Sequence, residues 1–155
     1  ASGVSAGGTL AMNLAYGGNS AIPVRFVFEL AAPTYFVAED WGSLMKSDNL
    51  GSEEEFYRMM TGKELSAQEY RQEIKKISPT CLVGEDSVPT LIGYGLKDHC
   101  VPADQKEYLI DALEKNGVSY DYVEFPHSNH LLYGDLDKMQ TFMDLSLEYC
   151  EKYFQ

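Results

Sequence analysis

Gly3-Val4-Ser5-Ala6-Gly7 spells G-x-S-x-G and runs directly into the helix-like stretch Gly8 to Tyr16, which commits the chain to a strand, a sharp turn and a helix around one serine. In such an elbow the serine occupies a strained turn, and small residues two before and two after it let strand and helix pass close together. Gly3 and Gly7 fill those two positions. The strain lifts the serine oxygen clear of the sheet, while the N–H of the next residue, Ala6, points to where an oxyanion would form. The helix N-terminus adds a favourable dipole there. By itself the five-residue pattern reads equally as a glycine-rich turn.

The remainder of the chain supplies an acid and a base in the order Ser, Asp, His, one of several orders used by unrelated serine hydrolases. Asp98 follows the apolar run Val88-Pro89-Thr90-Leu91-Ile92-Gly93-Tyr94-Gly95-Leu96 and so lies just past the C-terminal end of a buried strand. Open α/β sheets place ligand-binding residues at that edge. His130 follows a second strand-like run, Tyr120 to Phe125, through the loop Pro126-His127-Ser128-Asn129. Between the two runs, Asp104 to Asn116 carries apolar residues at helical spacing and ends at Gly117, a helix stop. Strand, helix, strand returns the chain to the same side, so Ser5, Asp98 and His130 are expected on one rim of one sheet. His127 competes with His130 as the base, and Glu85, Asp86 and Asp104 compete with Asp98 as the acid; only Asp98 sits immediately past a strand.

With these residues in view, the chain resembles the C-terminal part of an α/β-hydrolase of the esterase/lipase type, including the carbohydrate-esterase-like and prolyl-oligopeptidase-like branches. The resemblance runs from Gly3 to the last helix. Its markers are Gly3 to Gly8, Ile77-Ser78-Pro79, Val88-Pro89-Thr90-Leu91, Gly95-Leu96-Lys97-Asp98 before Val101-Pro102, and Ser128-Asn129-His130. It implies an α/β fold of three layers, α/β/α, with a mostly parallel sheet and a small helical cap insertion at 35–77 within a single domain, 1–155. It also implies Ser5 as nucleophile, Asp98 as orienting acid, His130 as base and Ala6 N–H as oxyanion donor, acting on a small-molecule carboxylic ester through an acyl-enzyme. A peptidase or thioesterase of the same fold, or a non-catalytic binding protein, is the alternative. A complete hydrolase of this type carries several strands before the elbow, with a His-Gly-Gly-like segment that provides the other oxyanion N–H. The chain has four residues before Ser5, so it reads as a fragment whose activity is in question.

Composition narrows the remaining classes. With 155 residues, 45% of them apolar, the chain can bury one core, and it has no apolar run long enough to span a membrane. A net charge of −12 argues against nucleic acid or anionic lipid as partner, because phosphate binding needs a basic face. Cys81, Cys100 and Cys150 are odd in number and form no C-x-x-C pair, which suggests a reducing compartment and a cytoplasmic location. No cofactor is expected, and no metal site is read from His99, His127 and His130, which lack zinc-like spacing.

Between the elbow and the acid strand, Val24 to Leu30 reads as a strand whose end reaches the active rim, followed by a region of faded strand signal from Tyr35 to Lys76. Ser52 to Thr61 and Ser66 to Ile77 read as two serine-capped helices, the second with a capping box through Glu69. Together they form either a lid over the pocket or a plain connecting excursion. Trp41, Phe56, Tyr57, Met59 and Met60 either line an acyl pocket or pack the insertion on the core. Leu136 to Phe154 is an amphipathic helix expected to cover the sheet. The strand at Val24 to Leu30 should pair with the short strand into the elbow and leave an apolar edge largely unpaired, which favours homo-oligomers.

Overall fold

In a computed structural model, which describes residues 1–18, 20–37, 41, 51–102 and 104–154, the elements alternate as the apolar runs require. They are β1 (Ser2–Val4), α1 (Ala6–Tyr16), β2 (Val27–Leu30), α2 (Glu53–Thr61), α3 (Ala67–Glu73), α4 (Pro79–Leu82), β3 (Thr90–Gly95), α5 (Gln105–Lys115), β4 (Tyr120–Phe125) and α6 (Leu136–Tyr153). All strand pairs are parallel, and the sheet runs β1-β2-β3-β4 in sequence order. The fold is an α/β/α sandwich with a parallel sheet, as expected.

Side-chain alternation along the strands builds two cores. Val27, Ile92 and Tyr94 turn to one face, where they meet Met12 and Tyr16 of α1 and Leu109 and Leu113 of α5. Leu91, Val123 and Phe125 turn to the other, where Phe142 and Tyr149 of α6 cover them. A parallel sheet buried on both faces is written as near-continuous apolar runs, and every residue of β3 is buried. That leaves the loops after β1, β3 and β4 together at one rim.

Two element boundaries differ from the sequence reading, and one short helix is added to it. The strand expected from Val24 begins at Val27, because its neighbour β3 begins only at Thr90 and the preceding Pro89 has no N–H to give the ladder; Val27 N donates to the Pro89 carbonyl at 3.0 Å. The helix expected through Ile77 tightens into a 3-10 turn at Ile74–Lys76. After it comes α4, too short for periodicity to show, with Pro79 at its start. Both serine-capped helices of the insertion form, each with a complete capping box, Ser52 with Glu55 and Ser66 with Glu69.

The expected β1–β2 pairing forms, with Ser2 opposite Phe28 and Val4 opposite Leu30. It corrects the expected edge: β2 is flanked on both sides, and the strands without an outer neighbour among the described residues are β1 and β4.

The segment 35–77 between β2 and β3 is tied at both ends. Gln105 Oε1 accepts from Thr34 N at 2.8 Å and Tyr35 N at 2.7 Å, and Asn13 Nδ2 donates to the Ile77 carbonyl at 2.8 Å. Phe56, Tyr57, Tyr70 and Ile74 form a small core of their own. The sequence alternatives for its aromatics resolve toward packing for Phe56 and Tyr57, which are buried, and for Trp41, which stacks on Phe36 at 5.8 Å. Positions 38–40 and 42–50 of the expected cap lie outside the described residues, as does Asn19 of the turn after α1.

Candidate active site

Ser5 stands between β1 and α1 at φ 53°, ψ −129°, a backbone region that L-residues avoid. Its N–H donates to the Leu30 carbonyl at 2.8 Å, so the next strand holds the strained residue in place. The glycines around it divide the work differently from the motif reading. A Cβ on Gly3 would lie 2.1 Å from the Gly7 carbonyl carbon, and one on Gly8 would lie 2.7 Å from the Ala32 Cβ. A Cβ on Gly7 would meet nothing within 4 Å. The tight passage of helix over strand therefore falls on Gly3 and Gly8, and Gly7 contributes only its backbone.

Ala6 is the first residue of α1, so its N–H has no acceptor one turn back within the helix.

Asp98 comes from the loop after β3 and His130 from the loop after β4. These loops are joined by Lys97 N donating to the Ser128 carbonyl at 3.0 Å. A side chain on Gly95 would strike the carbonyl oxygens of Ser128 and Asn129 at 2.5 and 2.7 Å, so glycine there is what lets the loops close. The outcome is a continuous hydrogen-bonded line. His130 Nε2 lies 2.9 Å from Ser5 Oγ, and His130 Nδ1 lies 2.8 Å from Asp98 Oδ2. The other carboxylate oxygen of Asp98 accepts from the N–H groups of Cys100 and Val101, at 2.8 and 3.0 Å. Those two bonds fix the carboxylate in rotation. The Asp98 and His130 side chains are 3% and 19% exposed, so the pair is largely screened from water.

The competing candidates lie elsewhere. His127 Nδ1 pairs with Asp135 Oδ1 at 2.7 Å, and its side chain is 71% exposed. No bond joins Glu85, Asp86 or Asp104 to His130, whose carboxylate partner is Asp98.

Two buried acids went unread in the sequence. Asp135 directly precedes α6, where it looks like a helix cap, but its side chain makes no cap bond. Instead it closes the loop after β4, accepting from His127 N at 2.9 Å, from Ser128 Oγ at 2.6 Å and pairing with the His127 ring. Ser128 Oγ in turn accepts from Gly134 N at 3.0 Å. His130 thus sits inside a stapled loop. Burial works to raise the Asp135 pKa, but the hydrogen bonds from Ser128 and His127 and the His127 charge outweigh it and hold the carboxyl below its ordinary range.

Glu29, fully buried in β2, accepts from Ala32 N at 3.0 Å through one oxygen, while the other has no hydrogen-bond partner among the described residues. Burial pushes its pKa well above the ordinary carboxyl value, against the backbone N–H groups of Ala32 and Gly93. It braces the turn containing Ala31, at φ 52°, next to the Leu30 carbonyl that holds Ser5. A lone acid inside the apolar run Val24 to Leu30 is the signal that could have marked it.

Beside Ala6 opens an apolar cleft of about 450 Å³, lined by Thr9, Leu10, Pro33, Phe36, Met60 and Ile77 among others. Met60 thereby lines a pocket, whereas Met59 is exposed. All three cysteines are free thiols. No described helix is long and apolar enough to cross a membrane.

The sequence model of the prolyl oligopeptidase family matches residues 1–155, the whole chain. No curated protein matches it. Among solved structures, it is similar to a truncated carbohydrate esterase from gut microbiota, with a TM-score of 0.74 and 20% identity over 99% of this chain and 59% of that one. A thermophilic esterase of the planctomycete Thermogutta terrifontis with propionate bound gives 0.69 and 21%, over 97% of this chain and 54% of that one. The acylaminoacyl peptidase of Pyrococcus horikoshii gives 0.68 and 18%, over 98% and 23%. At these identities the likeness is one of fold. The chain spans somewhat over half the length of the esterases, at 59% and 54%.

Proposed function

The chain belongs to the prolyl oligopeptidase family, and on that premise we propose that it is a serine hydrolase that cleaves small carboxylic esters through Ser5, His130 and Asp98. The observation that carries this reading is the line from Ser5 Oγ through both nitrogens of His130 to Asp98, at 2.9 and 2.8 Å, starting from a serine in a strained elbow. Strain of that kind costs roughly 1–3 kcal/mol and concentrates at functional sites.

The mechanism is acyl transfer. Ser5 Oγ attacks the ester carbonyl carbon while its proton passes to His130 Nε2, and Asp98 accepts the hydrogen bond from Nδ1–H that keeps the imidazole in the right tautomer. The carbonyl oxygen gains negative charge and takes a hydrogen bond from Ala6 N–H, near the positive end of α1. As the C–O bond breaks, the alcohol oxygen takes the proton from Nε2 and leaves. Water then repeats the sequence on the acyl-enzyme, releasing the acid and restoring Ser5.

Support for an acyl ester comes from the apolar cleft adjoining Ala6 and from solved relatives described as esterases with propionate or butyrate bound. The helices of 35–77, which bring Met60 to that cleft, serve in this reading as a cap. The family and the acylaminoacyl peptidase relative favour a second reading, cleavage of an acylated peptide by the same residues.

The test is labelling by a fluorophosphonate, with hydrolysis of p-nitrophenyl acetate and butyrate measured beside that of an acetylated peptide. Labelling at Ser5 that Ser5→Ala abolishes, with ester hydrolysis, is the expected result. Equal labelling of the alanine variant overturns the assignment, and peptide cleavage without ester cleavage selects the second reading.

A further inference from the structure

We propose that Asp98, Cys100 and His130 together form a binding site for a thiophilic divalent cation, Zn²⁺ or Cd²⁺, whose occupancy switches off the Ser5–His130 pair. One donor atom from each residue, a carboxylate oxygen, the thiol sulfur and a ring nitrogen, lies within 4.8 Å of the other two. Sequence spacing does not show this cluster, because its ligands come from two loops that meet only at the rim of the sheet.

The local fold explains why the thiol is there. Asp98 turns back on its own loop to accept the N–H groups of Cys100 and Val101. That turn brings residue 100 beside the carboxylate. Cys100 is an exposed, free thiol, so its sulfur is open to an arriving ion, whereas Asp98 and His130 are already aimed at each other, 2.8 Å apart.

The donor set selects the ion. One sulfur, one imidazole nitrogen and one carboxylate oxygen suit zinc and its softer relative cadmium, and do not suit magnesium or calcium, which take oxygen. Bonds of about 2.0–2.3 Å in a tetrahedron place ligand atoms roughly 3.3–3.8 Å apart. From donors within 4.8 Å of one another, closing to that spacing needs a shift of about 1 Å, with the thiol moving in and the Asp98–His130 contact opening. Three protein ligands leave a fourth position for water on the exposed side.

Binding changes the histidine. The nitrogen facing Asp98 is Nδ1, and a cation there takes its lone pair, so the single proton of the neutral ring moves from Nδ1 to Nε2, and the proton released to solvent is that of the Cys100 thiol. The ring proton then resides on Nε2, the nitrogen that must receive the Ser5 proton. A histidine locked in that tautomer cannot act as base. The inhibition rests on the hydrolase reading proposed above; the binding does not.

The experiment uses the full chain with Cys81→Ser and Cys150→Ser, so that Cys100 is the sole thiol, kept reduced. Cd²⁺ is titrated while the thiolate-to-cadmium charge-transfer absorption is followed. One equivalent should bind saturably, Cys100→Ser should remove the signal, and His130→Ala or His130→Asn should weaken binding at least about tenfold, as loss of a metal-site partner does. Thermal melting checks that each variant folds. No saturable binding, or equal affinity in folded His130 variants, overturns the site. With Zn²⁺, hydrolysis of p-nitrophenyl acetate should fall over the concentrations that saturate the site, return on adding a chelator, and resist zinc in Cys100→Ser. Undiminished hydrolysis at saturating zinc overturns the switch, while cadmium binding by a chain that never hydrolyses ester leaves the site standing and removes the hydrolase reading instead.

Discussion

At Ser5 a left-handed φ of 53° is held between the bond from its N–H to the Leu30 carbonyl and those its own carbonyl accepts from Gly8 and Thr9, and the chemistry at this scale depends on groups that hold other groups. Asp98→Asn keeps the shape of the site but favours the wrong histidine tautomer, so kcat should fall about 10³–10⁴-fold with KM little changed, measured on a p-nitrophenyl ester. Asp135 bonds to none of Ser5, Asp98 and His130; it holds the loop that carries His130. Its lowered pKa means that the stability it adds is present above the ordinary carboxyl range and is lost as pH falls through the still lower folded value. Hydrogen exchange at the His127 and Gly134 amides should therefore speed up relative to the sheet below about pH 4, the usual carboxyl range, and Asp135→Asn should speed it up at neutral pH as well. Unchanged exchange in that variant would remove Asp135 from its positioning role. Glu29 has the opposite sign. An acid whose folded pKa is raised stays protonated in the fold after the unfolded chain has ionised, so stability declines as pH rises from the ordinary carboxyl value toward the raised one. Glu29→Gln keeps an acceptor for Ala32 N–H and should flatten the fall of Tm as pH rises above the ordinary carboxyl value of about 4; a parallel fall in both proteins would count against a buried neutral acid. Ser5, Asp98 and His130 were legible as candidates because each ends a readable element. Asp135 and Glu29 were not, since their importance lies in partners that the chain order does not show.

Among the elements, the elbow makes the sharpest prediction, because its glycines look alike in the motif and differ in space. Gly8→Ala sets a methyl group 2.7 Å from Ala32 Cβ and should cost about 1–3 kcal/mol, the usual range for overpacking. Gly7→Ala meets nothing within 4 Å and should be neutral or stabilising by up to about 1 kcal/mol from helix propensity. Thermal or urea unfolding of the two variants decides it, and equal destabilisation would show that the helix passes the strand differently. Both capped helices of the insertion were legible, because a serine with a glutamate three residues on carries its own N-terminal hydrogen bonds. The start of β2 was not, because a strand ends where its neighbour stops pairing, and that neighbour lies sixty positions away in the chain. Nor was the anchoring of the insertion by Gln105, whose amide oxygen serves Thr34 and Tyr35 from a different helix.

For the whole molecule, parallel order and three layers follow from the alternation of apolar strands with helices, and the two cores fall on the faces that side-chain alternation assigns to them. The outer edge of β1 adjoins an apolar groove lined by Val4, Phe28, Leu30, Phe142 and Met143. Self-association through this edge is expected, and light scattering at micromolar concentration tests it: a monodisperse monomer rules it out. The net charge of −12 opposes close approach of copies, so any association should strengthen with added salt. The sequence by itself determined what is local: the elbow motif, most of the strands and helices, the caps, and the order of serine, aspartate and histidine, because each is written in neighbouring residues. Only the tertiary structure decided which histidine meets the serine, which glycines the elbow cannot replace, and that Cys100 stands beside Asp98 and His130. Those are distances between loops brought together by a parallel sheet, and chain order carries no measure of them.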